Sequence, residues 1–352
     1  MQFITSPLLG ALSDRYGRRP VILLSCLGLG LDYIFMALAP SLFLLFVGRV
    51  ISGITAATIS TAFAYIADVT PPAGRAKAFG IVGIAFGLGF VLGPAIRGLL
   101  GGLDSRLPFW VSAAACLLNA GFGWFVLPES LPPERRMAFS WKRASPLGSF
   151  ALLRSHTQLL GLAAANFFGH VAHNVLPAVF VLYAAYRYGW GEEIVGLTLA
   201  GVGVCSAIVQ GLLVGPAVAR LGERWTMIVG LLFGAAGMAI YGLAPTGLWF
   251  WIGVPVMSLW GLAGPASQGL MSRLVGVSEQ GQLQGANTAL MSTAGLIAPG
   301  LFAVSFAYFI EPVPGRLLLP GAPYLLAALL LVMATLITLH ATAQRRPADR
   351  RR

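Results

Sequence analysis

The chain has 352 residues, of which 57% are hydrophobic and only 10% charged, and its mean hydropathy is +0.81. A soluble domain carries roughly 25% charged residues, so this composition excludes one and indicates an integral membrane protein. The net charge of +11 does not indicate nucleic-acid binding, because nearly all the charges lie in short loops between apolar runs.

The apolar runs predict the helices. A hydrocarbon core of ~30 Å needs about 20 apolar residues per helix, and ten runs meet that length. They cover residues 20–39, 41–65, 78–100, 107–127, 157–185, 194–216, 225–244, 248–272, 283–310 and 321–341. A stub at residues 1–12 precedes them, so the sequence predicts an all-α membrane protein with eleven helices, the first of them incomplete.

Positive charge fixes the predicted orientation. When the loop at residues 10–20, GALSDRYGRRP, is placed in the cytoplasm, 18 of the 23 Lys and Arg residues fall in cytoplasmic connections and three in the opposite ones. The positive-inside rule then predicts a multi-pass protein of the inner (plasma) membrane with a cytoplasmic C-terminus. The predicted organisation is an N-terminal bundle at 1–127, a proline-rich cytoplasmic linker at 128–156, a six-helix bundle at 157–341 and a basic tail at 342–352.

The loop at residues 10–20 recurs 205 residues later as GPAVARLGERW, residues 215–225. Two parallel repeats of six helices are typical of a class of secondary transporters. The helix at 157–185 has no counterpart 205 residues earlier. We therefore expect that the first of twelve helices is missing and that Met1 is an internal methionine of a truncated chain.

The loop GALSDRYGRR matches the cytoplasmic signature G-x-L-[AS]-D-[RK]-x-G-R-[RK] of the major facilitator superfamily at every specified position. FVGRVISG at 46–53 and GFVLGPAIRG at 89–98 resemble that family's fourth-helix and fifth-helix motifs. Other stretches resemble its tetracycline/proton antiporters, namely LDYIFMALAPS (31–41), YIADVTPPAGRAKAFG (65–80), LPES (127–130), ARLGER (219–224) and GQLQG (281–285).

The resemblance extends from Met1 to about residue 340. It implies a monomer that exports a small amphipathic molecule, tetracycline-like or multidrug, by alternating access. Protons flowing down their gradient would drive export without a cofactor. Two departures weaken the tetracycline assignment: Gly234 stands where those antiporters have an aspartate, and their first-helix aspartate would lie before Met1. Arg97 also replaces a glycine of the fifth-helix motif.

The resemblance also implies a conformational latch on the cytoplasmic side. Its predicted members are Gly10, Asp14, Arg15, Gly17, Arg18, Arg19, Asp68 and Arg75. Asp14 would lie near the start of the helix that begins around residues 281–283, where free amide N–H groups favour an anion. A solvated, positive-inside loop is the other interpretation of the motif, and a plain surface pair that of Asp68 and Arg75.

Three polar residues of the first bundle are predicted to face a transport pathway. Asp32 lies in the middle of an apolar run, where a charge costs at least ~2.5–3.5 kcal/mol, so it is a candidate for proton exchange or for contact with a cationic substrate. A carboxylate at the outer interface is the alternative, because Pro40 follows closely. Arg49 has no charge within one turn and needs an acceptor across the bundle. Gln2 resembles a polar second-helix residue of the tetracycline group.

The segment NFFGHVAHN carries four polar residues, Asn166, His170, His173 and Asn174, at spacings that place them on one helical face. Because histidine can carry protons near neutral pH, the stripe is a candidate coupling or substrate site, and inter-helix hydrogen bonding is an equal alternative. Gln210 is a weaker candidate of the same kind. Gly89, Gly93 and Pro94 are predicted to serve helix packing and bending.

No nucleophile elbow, phosphate loop or metal-ligand spacing occurs in the sequence, so neither an enzyme nor a metal site is predicted. The three cysteines, Cys26, Cys116 and Cys205, lie inside apolar runs and predict no disulfide. A second interpretation of the whole chain is a membrane remnant or interaction module that transports nothing.

Overall fold

The computed structural model describes residues 2–55, 58–101, 104, 106–141, 152–154, 156–312 and 318–343, and the regular structure of these residues is entirely helical. The long helices are α1 (Gln2–Tyr16), α2 (Arg18–Leu38), α3 (Leu42–Thr55), α4 (Thr58–Val69), α5 (Arg75–Gly101), α6 (Leu107–Val126), α7 (Thr157–His173), α8 (Val175–Tyr188), α9 (Glu192–Ile208), α10 (Val214–Leu243), α11 (Gly247–Ser258), α12 (Ala263–Ser272), α13 (Gln280–Ile310) and α14 (Ala322–Ala343).

Eight stretches of the described residues are helical, long and apolar enough to cross a bilayer. One of them, Glu193–Leu243, has 51 residues, or ~76 Å at 1.5 Å per residue, which exceeds one crossing. Gly222, with φ 76° and ψ 162°, interrupts it and divides it into two crossings. Helix α5, with 27 residues, has spanning length as well. With α1, the predicted eleven segments are confirmed.

Three predicted runs are each divided rather than continuous. The run at 157–185 breaks at Asn174, between α7 and α8. A π-helical turn, Val209–Leu213, follows α9, and a 3₁₀ turn, Leu259–Leu262, separates α11 from α12.

Each of these breaks lies just upstream of a proline: Pro177, Pro216 and Pro265, in chain order. A proline lacks the N–H that would bond to the carbonyl four residues earlier, and its ring crowds that carbonyl. The backbone before each proline therefore departs from the regular α-helix.

The chain forms two compact units. Unit 1 consists of Met1–Arg75, Leu92–Arg154 and Ser272–Ser292, and unit 2 of Ala76–Val91, Ser155–Met271 and Thr293–Arg352. The first part of α13 therefore packs with the first repeat, and the first part of α5 with the second. An offset of 205 relates these two helix starts as well, which agrees with the repeat found in the sequence.

Candidate functional site

In unit 1, Asp14 caps the start of α13. Its two carboxylate oxygens accept hydrogen bonds from the backbone N–H groups of Gly281 and Gln282, each at 3.0 Å. Only 5% of Asp14 is exposed. A carboxylate at this helix end satisfies two N–H groups that have no partner within the helix, and it meets the positive end of the helix dipole.

Arg18 joins this carboxylate to a second one. Its guanidinium lies 2.5 Å from Asp14 and 2.9 Å from Asp68 on α4, and none of the Arg18 side chain is exposed. A buried arginine between two carboxylates is compensated on both sides, so removal of one partner leaves charge uncompensated.

Burial raises the pKa of the Asp14 carboxyl from its ordinary 3.8 to about 6. The Arg18 guanidinium and the N–H groups of Gly281 and Gln282 oppose the rise, because they stabilise the charged form. Loss of water is the larger effect. Asp14 therefore titrates close to neutral pH.

Glu129, at the end of the segment after α6, caps the start of α2. Its carboxylate oxygens accept hydrogen bonds from the backbone N–H groups of Arg18 at 2.8 Å and Arg19 at 3.3 Å. The preceding Gly17 has φ 101°, and a Cβ on it would overlap the Glu129 carboxylate. This position therefore requires glycine for both backbone conformation and space.

The linker backbone also contacts the latch loop, residues 10–20. The N–H of Met137 donates a hydrogen bond to the carbonyl of Asp14 at 3.0 Å. Sequence reasoning assigned no site role to Glu129. Glu129 lies at the start of the proline-rich linker, but its target, more than 100 residues away, was not deducible from the sequence.

The other predicted latch members differ in their surroundings. Gly10 packs so closely on α13 that a Cβ would overlap the carbonyl of Gly281. Arg15 is exposed and lies over the ring of Tyr16, and Arg19 donates to the carbonyl of Trp124 at 2.6 Å.

Arg75, which is buried, lies near Asp68 and bonds to backbone carbonyls, among them that of Thr70 at 3.2 Å. It donates to the carbonyl of Ser272 at 2.9 Å, and the side-chain amide of Gln280 donates to the same oxygen at 2.9 Å. Arg75 therefore connects the start of α5 to the end of α12.

Asp32 is 3% exposed within α2. Neither of its oxygens has a partner at full hydrogen-bond geometry among the described residues. Arg49 and Ser52 lie near its carboxylate. Arg49 itself is exposed, and the Asp32 carboxylate of α2 lies near it, so its predicted acceptor across the bundle stays a prediction. Gln2 lies in α1, and its side chain is outside the described set.

The polar stripe of unit 2 ends at Asn174, where α7 ends and α8 begins. The Asn174 amide caps α7 and donates to the carbonyl of His170 at 2.8 Å. Asn166 accepts a hydrogen bond from the hydroxyl of Ser267 at 2.7 Å. His173 packs edge-on against Trp260 with ring centres 5.6 Å apart. Asn166, His170 and His173 lie in the same helix and Asn174 is its C-cap, so the four residues are compatible with one helical face, and the role of the stripe stays a prediction.

Gln210 lies in the π turn, and its side chain occupies the space that a Cβ on Gly83 of α5 would need. Gly80 and Gly87 lie on the same face of α5, close to Gln210 and Gly203.

The packing glycines predicted on α5, Gly89 and Gly93, have no described atom within 4 Å of a Cβ. The packing role predicted for both glycines stays a prediction, because no such contact is found for them among the described residues. Pro94 lies in α5, but its side chain is outside the described residues, as is that of Arg97.

The repeat is visible in the backbone. Gly17 and Gly222, related by the offset of 205, share the same unusual conformation, with φ 101°, ψ 160° and φ 76°, ψ 162°. Two repeats of membrane helices, an ionic loop at a helix start and an acid buried in a membrane helix define the class of the protein. It is a secondary transporter of the two-repeat helical type.

Comparison with known proteins gives the family. The chain matches the Major Facilitator Superfamily over residues 1–299 and 163–352. It is 39% identical over 310 residues to the class C tetracycline resistance protein of Escherichia coli, covering 87% of this chain and 77% of that protein. It is 37% identical over 305 residues to the class G protein of Vibrio anguillarum, covering 85% and 76%.

Solved structures share the fold. The human organic anion transporter MFSD10 (TETRAN) has a TM-score of 0.81 at 22% identity, covering 96% of this chain and 80% of that one. The proton:xylose symporter XylE has a TM-score of 0.75 at 18% identity, covering 96% and 84%. The chain belongs to the Major Facilitator Superfamily. It is a multi-pass membrane transporter of small molecules and not an enzyme.

Proposed function

We propose that the protein exports tetracycline-like compounds from the cytoplasm across the inner membrane, in exchange for protons, as a monomer with a cytoplasmic C-terminus. The observation that carries this proposal is the similarity to tetracycline resistance proteins at 37–39% identity over most of the chain. The buried Asp32 supports proton exchange. A carboxyl within an apolar membrane helix is energetically costly, and such groups commonly belong to proton or ion pathways.

The proposed cycle needs a latch with two states. In the state described, the Asp14 carboxylate caps α13, and Arg18 links it to Asp68. In the other state, Asp14 leaves the helix start, and Arg18 retains Asp68 as its partner. Exchange between these states would let bundles at residues 1–127 and 157–341 alternate around a central substrate.

Everted membrane vesicles from cells that express the chain test the proposal. With respiration acidifying the vesicle interior, tetracycline should accumulate inside, and its addition should release protons, measured by recovery of the fluorescence of a quenched acridine dye. The variant Asp32→Asn should reduce both signals to the level of vesicles without the protein. Asp104→Asn is the matched control, since Asp104 is an exposed acid outside the membrane spans.

Each half of the proposal has its own failure. Vesicles with the unaltered chain that accumulate no tetracycline would reject the substrate class. Accumulation that continues after an ionophore collapses the proton gradient would reject proton coupling.

A further inference from the structure

Trp260 occupies a notch between two glycines of unit 2. It lies in the 3₁₀ turn between α11 and α12. A Cβ on Gly234 of α10 would lie 2.7 Å from the indole Cγ, and a Cβ on Gly169 of α7 would lie 3.9 Å from Cζ2. The indole therefore lies directly on the backbone of α10, at a position that even an alanine would obstruct.

The rim of this notch is polar and accessible. His173 packs edge-on against the indole at 5.6 Å, with an angle of 65° between the rings. Trp260 is half-buried and His173 exposed. The indole N–H donates no hydrogen bond to another described residue, so this donor is available to a ligand.

Irregular backbone surrounds the same place. The 3₁₀ turn that carries Trp260 packs against the π turn of α9, where a Cβ on Gly261 would lie 3.3 Å from Gln210. The break between α7 and α8 begins directly after His173. Within a membrane, non-helical backbone is tolerated where it is buried in protein or lines an aqueous cavity. Transporters build substrate sites from such broken helices.

We propose that Trp260 and His173 form a stacking platform that binds a planar, polycyclic, amphipathic substrate in unit 2. The inference rests on the proposed function and adds the means of recognition. Aromatic rings stack with an offset or meet edge to face, and the indole is the strongest aromatic partner for a cationic group. The substrate ring would lie on the indole face that points away from Gly234, and the indole N–H and the imidazole would bind its polar edge.

Equilibrium binding to the purified full chain tests the platform. Radiolabelled tetracycline is titrated against the unaltered protein and against Trp260→Leu, Trp260→Phe and the control Trp249→Leu. Trp249 lies in the neighbouring α11 and is 53% exposed. We expect Trp260→Leu to weaken binding by about tenfold, or ~1.4 kcal/mol, Trp260→Phe by about threefold, and Trp249→Leu not at all.

Gly234→Ala is a second test that leaves the indole present. Its Cβ should displace Trp260 and weaken binding as Trp260→Leu does, whereas Gly234→Ala combined with Trp260→Leu should be no weaker than Trp260→Leu alone. Melting temperatures of every variant separate binding from folding. If Trp260→Leu lowers the melting temperature but binds as tightly as the unaltered protein, Trp260 only fills space and the inference is wrong.

Acridine orange, a planar tricyclic cation, separates this inference from the proposed function. If the unaltered protein binds the dye but not tetracycline, and Trp260→Leu loses the dye, the platform stands and the tetracycline assignment fails. If neither probe binds, or if both bind equally to Trp260→Leu, the platform is rejected.

Discussion

Replacing Asp14 with asparagine should release the start of α13. Asparagine has the same shape as aspartate, but it carries no charge and presents one N–H₂ group to the backbone donors of Gly281 and Gln282. The change removes one of the two charge-assisted hydrogen bonds and the ion pair with Arg18. Truncating one partner of a buried pair costs ~3–5 kcal/mol. We expect the lower end, about 3 kcal/mol, because Arg18 retains Asp68 at 2.9 Å.

Hydrogen exchange of the first turn of α13 measures this loss directly. A local opening free energy lowered by about 3 kcal/mol accelerates exchange roughly 100-fold where exchange follows the opening equilibrium. Mass spectrometry of a peptide that contains Gly281 to Gly285 reports it, and Asp104→Asn provides the control. If Asp14→Asn leaves exchange of this turn within about threefold of the unaltered chain, the carboxylate does not hold the helix start, and the argument fails.

Two further predictions concern the turn glycines and the packing of α5. Gly222→Ala, where no described atom lies within 4 Å of a Cβ, should cost only the ~1–3 kcal/mol of a non-glycine residue in this backbone conformation. Gly17→Ala should cost more, because its Cβ also meets Glu129. Equal shifts in melting temperature would show that Glu129 yields freely. Gly83→Ala should lower the melting temperature of unit 2 by displacing Gln210, whereas Gly89→Ala, in open space, should not; equal effects would disprove the packing argument.

The number of membrane segments and the place of Asp14 were predictable from sequence for different reasons. Segment count follows from the length of each apolar run, which bilayer thickness dictates. The contact between Asp14 and the start of α13 spans more than 260 residues, and it was predicted only through the family resemblance. Glu129 shows the limit of local patterns, because its partners are backbone N–H groups that any sequence presents.

The helix breaks were missed although their signal is in the sequence. Hydropathy treats proline as one mildly polar residue, so the runs at 157–185, 194–216 and 248–272 looked continuous. Pro177, Pro216 and Pro265 mark the breaks once each is considered for the carbonyl four residues before it. Trp260 had no signal of its own, since an indole in an apolar run is ordinary until the fold places it on Gly234.

Comparison of the two repeats distinguishes the residues that form the turn of the latch loop from those that contribute its ion pairs. At the position of Arg18, which contributes a buried cation to unit 1, the second repeat has Glu223, 6% exposed in unit 2. A Cβ on Gly269 would lie 2.5 Å from the Glu223 carboxylate, so this acid packs on α12. The turn glycines Gly17 and Gly222 nevertheless adopt the same left-handed φ. Because the turn persists while the buried charge reverses, the glycine forms the turn and the ion pairs are an addition to it. Loss of the Asp14 and Arg18 charges should therefore weaken the hold on α13 without unfolding the loop.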